Sequence, residues 1–265
     1  MKIGVVGLGI VGGTVRTGME ELGFDVIGHD KKLNTDLSDV LDTEVCYICV
    51  PTPADKNGSC NTSIVEEVVS DLHLLGYKGL VAIKSTVAPG TTKTLSEKFK
   101  TGRFAFVPEF LRERCAIADF TENHDVCIIG TNDDTDFSLI KKSHGHYPRK
   151  FVKTTPCEAE LSKYFNNIYN ATLVTFANSF YEVCKAQGVD YSVVKNSIIH
   201  RDHINDIYLD CNKNFRGFGG VCLPKDTSAI SHLCNDLGLD VNFFDNILEE
   251  NSKYKVTVPI GMRKS

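Results

Sequence analysis

The run Lys2-Ile3-Gly4-Val5-Val6-Gly7-Leu8-Gly9-Ile10-Val11-Gly12 decides the fold. A short apolar strand leads straight into glycines spaced G-x-G-x-x-G, and helical periodicity follows. Gly7 makes the tight turn out of the strand, Gly9 lets a pyrophosphate approach the backbone, and Gly12 lets the helix pack on the strand. The helix that opens at Ile10 and Val11 offers unpaired N–H groups to phosphate oxygens. A second apolar run, Phe24 to Ile27, is followed by Asp30, 18 residues after Gly12. A carboxylate there accepts from a ribose 2′-OH and repels a 2′-phosphate, which points to NAD rather than NADP.

Outward from this unit the alternation continues. Apolar runs at Val45 to Val50, Leu80 to Ile83, Phe104 to Val107 and Val126 to Ile129 are separated by amphipathic stretches such as Ile64 to Leu75. With Phe151-Val152 as a last strand, the pattern predicts an α/β fold, a Rossmann-type doubly wound parallel sheet over residues 1–154. Thr155-Pro156-Cys157-Glu158 reads as a helix start, with Thr as N-cap, Pro in the first turn and Glu three residues on. No Gly or Pro follows until Gly188. So long a helix joins two units or supplies a dimer interface, and Leu161, Phe165, Ile168 and Phe176 give it an apolar stripe over 157–187 that predicts a homodimer. Shorter helices are expected over Tyr191–Ile199 and Pro224–Leu237. They complete a small all-helical domain over 155–250, with 251–265 a loose polar tail.

Charge and cysteine usage narrow the class. The net charge of −5 argues against nucleic acid or an anionic membrane as partner, since both demand a basic surface. No apolar run approaches the ~18 residues of a membrane span, and the chain enters its first strand directly after Met1-Lys2, without the pattern of a signal peptide. Ten cysteines are scattered without the clustering of a disulfide framework, which implies a reducing, cytoplasmic setting. Cys46 and Cys49 form a C-x-x-C, but a strand there would point them to opposite faces, so no metal site is expected.

The segment Phe215-Arg216-Gly217-Phe218-Gly219-Gly220-Val221-Cys222-Leu223-Pro224-Lys225-Asp226 carries the strongest chemical signal. Its glycines free the backbone to wrap a ligand or form an anion nest. Cys222 is expected just before a helix that starts near Pro224, beside Lys225, where a thiol becomes acidic and nucleophilic. Glu109 and Glu113, four apart, would share a face of a helical turn; by themselves they fit either an acid/base pair or a solvated acidic turn. Lys163 and Asn167 have the same spacing on the long helix and alone read as surface polars. Thr86 closes the strand Leu80 to Ile83 at the carboxyl edge, where doubly wound sheets bind ligands.

These segments together resemble the nucleotide-sugar 6-dehydrogenases, the family of UDP-glucose and GDP-mannose 6-dehydrogenases. Gly217 to Asp226 resembles their active-site cysteine motif. Gly7-x-Gly9-x-x-Gly12, Val50-Pro51-Thr52-Pro53, Ser85-Thr86-Val87-Ala88-Pro89-Gly90 and Pro108-Glu109-Phe110-Leu111-Arg112-Glu113 fit in order, from residue 2 to about 240. The resemblance implies a four-electron oxidation of a sugar C6 hydroxyl by NAD, with Cys222 forming a thiohemiacetal and then a thioester. It implies that Asp226 helps remove the hydroxyl proton through water and that Glu109 is the base for hydrolysis. Lys163 and Asn167 would stabilise oxyanions, and Thr86 joins the catalytic set. It further implies Pro51, Thr52, Thr86, Glu113 and Lys225 against the cofactor. Phe110, Leu111, Glu113, Lys163, Asn167, Gly217, Phe218 and Gly219 would lie against the substrate, UDP-glucose before GDP-mannose. Members carry a third domain of ~100 residues, whereas 39 residues follow Asp226 here. Two other classes stay open: a two-electron β-hydroxyacid-type dehydrogenase, which needs no cysteine loop, and a non-catalytic NAD-binding dimer.

Overall fold

The structure, a computed structural model, describes residues 1–100 and 102–257. The chain divides into two units, one of residues 1–53 with 60–163, the other of 54–59 with 164 onward. Seven strands build the first: β1 (Lys2–Val6), β2 (Asp25–His29), β3 (Val45–Ile48), β4 (Leu80–Ile83), β5 (Arg103–Phe106), β6 (Val126–Gly130) and β7 (Lys150–Thr154). Between them lie α1 (Ile10–Glu21), α2 (Ser63–Leu74), α3 (Thr91–Lys98), α4 (Ala116–Thr121) and α5 (Asp134–His144).

All four residues of β3 and of β4 are buried, as expected for central parallel strands covered on both faces. On one face Val65, Val69 and Leu72 of α2 pack with Ile48, Ile83 and Phe106. On the other, Val15 and Met19 of α1, Phe120 and Ile140 pack with Val5, Tyr47 and Ile129. Cys46 belongs to the first layer and Cys49 packs on the second, so the C-x-x-C does point to opposite faces. Burial pushes the Cys49 thiol up to about 12 and that of Cys46 higher still. Among the described residues no cluster of His, Cys, Asp and Glu could hold a metal ion.

The strand order is β2-β1-β3-β4-β5-β6-β7. Chain direction across the sheet therefore reverses at β1, which makes its carboxyl end the ligand-binding switch point. The sheet is not wholly parallel: β5 meets β6 antiparallel, at Phe106 and Gly130. The helix joining them, α4, lays Phe120 against Gly18 of α1.

α6 (Pro156–Ala186) starts with the expected capping box. The Thr155 amide donates to Glu158 Oε2 at 2.7 Å, and the Glu158 amide to Thr155 Oγ1 at 3.4 Å. The unit boundary falls inside this helix, between Lys163 and Tyr164. In the second unit follow α7 (Tyr191–Ile198), α8 (Cys222–Asp236) and α9 (Phe243–Ser252). α8 begins at Cys222, earlier than expected. Pro224 then stands third in the first turn, where a missing N–H leaves no helical bond unmade.

Residues 251–257 are not a loose tail. Asn251 is buried in α9, and the Thr257 amide donates to Arg216 O at 3.2 Å. The rest of the expected tail, 258–265, lies outside the described residues. No helix among the described residues is long and apolar enough to cross a membrane.

Gly12 is the tightest point of the sheet unit. A Cβ there would sit 1.8 Å from Gly7 O, whereas one on Gly13 would meet nothing nearer than 3.7 Å. Gly12→Ala should therefore destabilise by about 1–3 kcal/mol or more, while Gly13→Ala should stay within about 1 kcal/mol of the parent. Urea unfolding of both variants checks the contrast.

Candidate active site

The loops after β1, β2, β3, β4 and β5 lie along the carboxyl edge of the sheet. Gly7 leaves β1 with φ +87°, a conformation that disfavours any side chain, and its amide donates to His29 O at 2.8 Å. Asp30, just past β2, takes the Leu8 amide on Oδ2 and the Lys32 amide on Oδ1, each at 2.8 Å. These two bonds hold its carboxyl below the usual range. The carboxylate thus braces the glycine loop. A Cβ on Gly9 would meet nothing within 4 Å, so the space beside the loop is left for a ligand backbone to enter. That open cradle fits a dinucleotide pyrophosphate at the start of α1. Ile10 lines the adjoining cleft of about 450 Å³, opposite Glu113 and Cys115, while Val11 packs into the core.

Pro51 and Thr52 follow β3 and Thr86 follows β4, so all three lie on this edge. The Thr86 carbonyl accepts from Cys60 Sγ at 3.4 Å. Glu109 and Glu113 do not share a helical face: Glu109 lies in irregular backbone after β5, and Glu113 opens a separate 3-10 turn. Within the Pro-Glu-Phe-Leu-Arg run Glu109 turns back on its own chain, accepting the Leu111 amide at 2.7 Å. Its other oxygen meets Lys163 Nζ at 2.8 Å, in a pair whose side chains are only 12% and 5% exposed. Lys163 also donates to Glu109 O at 2.6 Å and stands over the Phe110 ring, while Leu111 packs into the core. Sequence reasoning had set Lys163 aside as an independent oxyanion partner; the structure gives it a carboxylate first.

Sequence reasoning missed Lys84, which follows β4 at 3% exposure with its ammonium 5.7 Å from the Tyr47 ring centre. Burial holds its ammonium below the usual lysine range. The available signal was a charged residue closing an otherwise apolar strand.

In the second unit, Cys222 is the exposed first residue of α8, and Asp226 stands one turn later at 1% exposure. Asp226 accepts from Asn167 Nδ2 and from Lys225 Nζ, both at 2.6 Å. Lys225, for which the resemblance implies a cofactor contact, thus pairs with its neighbour. The glycine loop is less open than an anion nest requires. The Gly217 amide donates to Asn178 Oδ1 at 3.1 Å and the Phe218 amide to Asn251 Oδ1 at 2.8 Å. Phe218 is buried, and a Cβ on Gly219 would strike Val256 at 2.5 Å. Arg201 and His203, on the loop after α7, are exposed.

Known proteins carry the same two parts. Residues 31–147 match the model of the UDP-glucose/GDP-mannose dehydrogenase family, NAD binding domain, and residues 157–253 match that family's central domain. The chain belongs to the UDP-glucose/GDP-mannose dehydrogenase family. A UDP-glucose 6-dehydrogenase of Bacillus subtilis is 33% identical over 225 residues, 82% of this chain and 48% of the relative. A GDP-mannose 6-dehydrogenase of Pseudomonas aeruginosa is 31% identical over 227 residues, 80% of this chain and 52% of the relative. The chain thus spans about half the length of these curated relatives. A UDP-glucose dehydrogenase structure from Pyrobaculum islandicum superposes with TM-score 0.86 at 28% identity, over 95% of this chain and 68% of that one. NAD is the cofactor of the sheet unit.

Asp30 ties the stability of the glycine turn to pH. Its folded-state pKa is depressed, so its contribution is present above the unfolded value of ~3.9 and is lost as pH falls through the folded value. Asp30→Asn should lower the urea midpoint at pH 7, with the deficit closing as pH drops below about 4. It should also weaken NAD binding measured by calorimetry.

Proposed function

We propose that this protein oxidises the C6 hydroxyl of a nucleotide sugar to a carboxylate with two NAD, through covalent attachment to Cys222. The observation that carries the proposal is a thiol at the first turn of α8 with a buried carboxylate one turn later, fixed by an amide and an ammonium. A dehydrogenase that stops at an aldehyde or ketone needs no such thiol, and this weighs against a β-hydroxyacid-type activity. NAD, when bound, supplies the hydride acceptor.

The residues divide the remaining work. Asp226, acting through water, takes the proton of the C6 hydroxyl as the first hydride leaves, which gives an aldehyde. Cys222 Sγ bonds to the aldehyde carbon and its proton passes to the oxygen, forming a thiohemiacetal. Loss of the second hydride and the hydroxyl proton leaves a thioester on Cys222. Water, deprotonated by Glu109, adds to the thioester carbon; the C–S bond breaks, and thiol and carboxylate are released. Lys163 supplies positive charge to the oxyanions and Asn167 keeps Asp226 in place. Thr86, Pro51, Thr52 and Glu113 line the cofactor edge, and Phe110, Leu111 and Gly217 to Gly219 border the sugar. UDP-glucose is the first substrate, supported by the likeness to UDP-glucose 6-dehydrogenases; GDP-mannose is the second.

Cys222→Ser should keep NAD affinity within about twofold yet fall by ~10³-fold or more in sugar-acid formation, since it removes the nucleophile itself. Uronate production at the parental rate would remove Cys222 from the reaction.

We further infer a homodimer through α6. Phe165 is 75% exposed and Phe176 56%, with Tyr169, Phe180 and Val183 extending the stripe, an apolar face unusual for a solvated helix. Ile168, first assigned to that stripe, is buried. Sedimentation velocity should give a dimer at micromolar concentration, and Phe165→Glu with Phe176→Glu should give a monomer.

A further inference from the structure

α6 presents a second polar device on its buried face. Asn167 and Asn178 stand eleven residues apart, about three helical turns, and so lie on one strip of the helix. Both are buried, at 6% and 1% exposure. Asn167 holds Asp226, four residues after Cys222. Asn178 holds the chain before it: its Oδ1 accepts from Gly217 N at 3.1 Å and from Arg216 Nε at 2.6 Å. Its own Nδ2 goes to Val174 O at 2.8 Å, so the carboxamide cannot rotate without losing bonds at both ends.

The loop is gripped from α9 as well. Asn251 Oδ1 accepts the Phe218 amide at 2.8 Å, and its Nδ2 donates to Phe218 O at 2.9 Å, which copies a strand pairing with a side chain. Arg216 is pinned in turn, its guanidinium 4.6 Å from the ring centres of both Tyr181 and Tyr254 and paired with Glu182 at 2.8 Å. Residues 216–218 therefore have their positions fixed by two buried carboxamides and by the partners of Arg216, and only Gly219, Gly220 and Val221 separate them from Cys222. Nothing in the oxidation chemistry uses Asn178, Asn251 or Arg216 directly. A loop that only closed a chain would not need two buried carboxamides, each of which is costly if left unmatched.

We propose that Asn178 and Asn251 are positioning residues for Cys222, bracketing the thiol together with Asn167 so that it stays fixed at the first turn of α8. This rests on the proposed role of Cys222 as nucleophile. Misplacing a reacting group by ~1 Å costs about 10²-fold in rate. The oxygen of Asn178 is what matters, because it receives the loop; its nitrogen serves only α6.

Asn178→Ala and Asn178→Asp separate these functions, since the aspartate keeps the acceptor and drops the donor. In the full chain with NAD and UDP-glucose, Asn178→Ala should lower kcat by about 10²-fold with KM for NAD unchanged, and Asn178→Asp should recover to within about threefold of the parent. Alkylation by iodoacetamide, followed by peptide mass across pH, gives a readout independent of turnover. The Cys222 profile should move in Asn178→Ala, while exposed Cys157 in the same sample should not. An unchanged kcat and Cys222 profile in Asn178→Ala, or failure of Asn178→Asp to recover, overturns the proposal. Should Asn178→Ala not fold, Asn251→Ala carries the same test with the same outcomes. If Cys222→Ser still makes uronate, the nucleophile role falls, and the alkylation profile alone decides whether the bracket exists.

Discussion

A carboxylate buried to 1% exposure is the constraint on which the second unit depends. An ionised Asp226 left without partners would cost several kcal/mol. The sequence around it is arranged so that this does not happen, with Asn167 on one oxygen and Lys225 on the other. Satisfying Asp226 fixes α8 against α6, and because Cys222 is four residues earlier on the same helix, it also fixes where the thiol emerges. The glycines before Cys222 then have a plain use. They let the loop lie close to Asn251 and Val256, where a side chain on Gly219 would collide.

The sheet unit solves a related problem with a different pair. Lys163 and Glu109 are both nearly buried and meet at 2.8 Å, with the Glu109 carbonyl as a further acceptor for the ammonium. Buried ion pairs are weak evidence for stability, but breaking one by removing a single partner is strongly destabilising. The pair therefore orders the irregular Pro108–Arg112 backbone, which has no helix to hold it. Along the same sheet edge, Asp30 braces Leu8 and so holds the glycine turn in shape. In both places a charged side chain does structural work on a loop that is otherwise free to vary.

The fold was largely legible because its signals are local. The strand, the three glycines and the apolar face of α2 follow from periodicity and from what a Cβ would strike, and the capping box at Thr155 named the start of α6. The antiparallel β5–β6 pair was not legible, since the direction in which a strand enters the sheet is a long-range choice that periodicity does not report. The same holds for the site. Glycine spacing and the Cys222 motif are sequence features, whereas the loss of a shared Glu109–Glu113 face arises from a carboxylate accepting its own chain's amide. Asn178 and Asn251 carried no signal: an isolated asparagine in a helix is silent until the backbone it clamps is in place. Lys84 was the exception, visible as a charge closing an apolar strand.

The central claim is that the thiol converts a dehydrogenase step into a four-electron oxidation, and counting electrons tests it most directly. NADH formed per molecule of UDP-glucose consumed, with the sugar product identified by mass and GDP-mannose run in parallel, gives that count. The account predicts two NADH and a uronate from one of these sugar nucleotides. One NADH with a released aldehyde, or none from either substrate while NAD still binds, would contradict it.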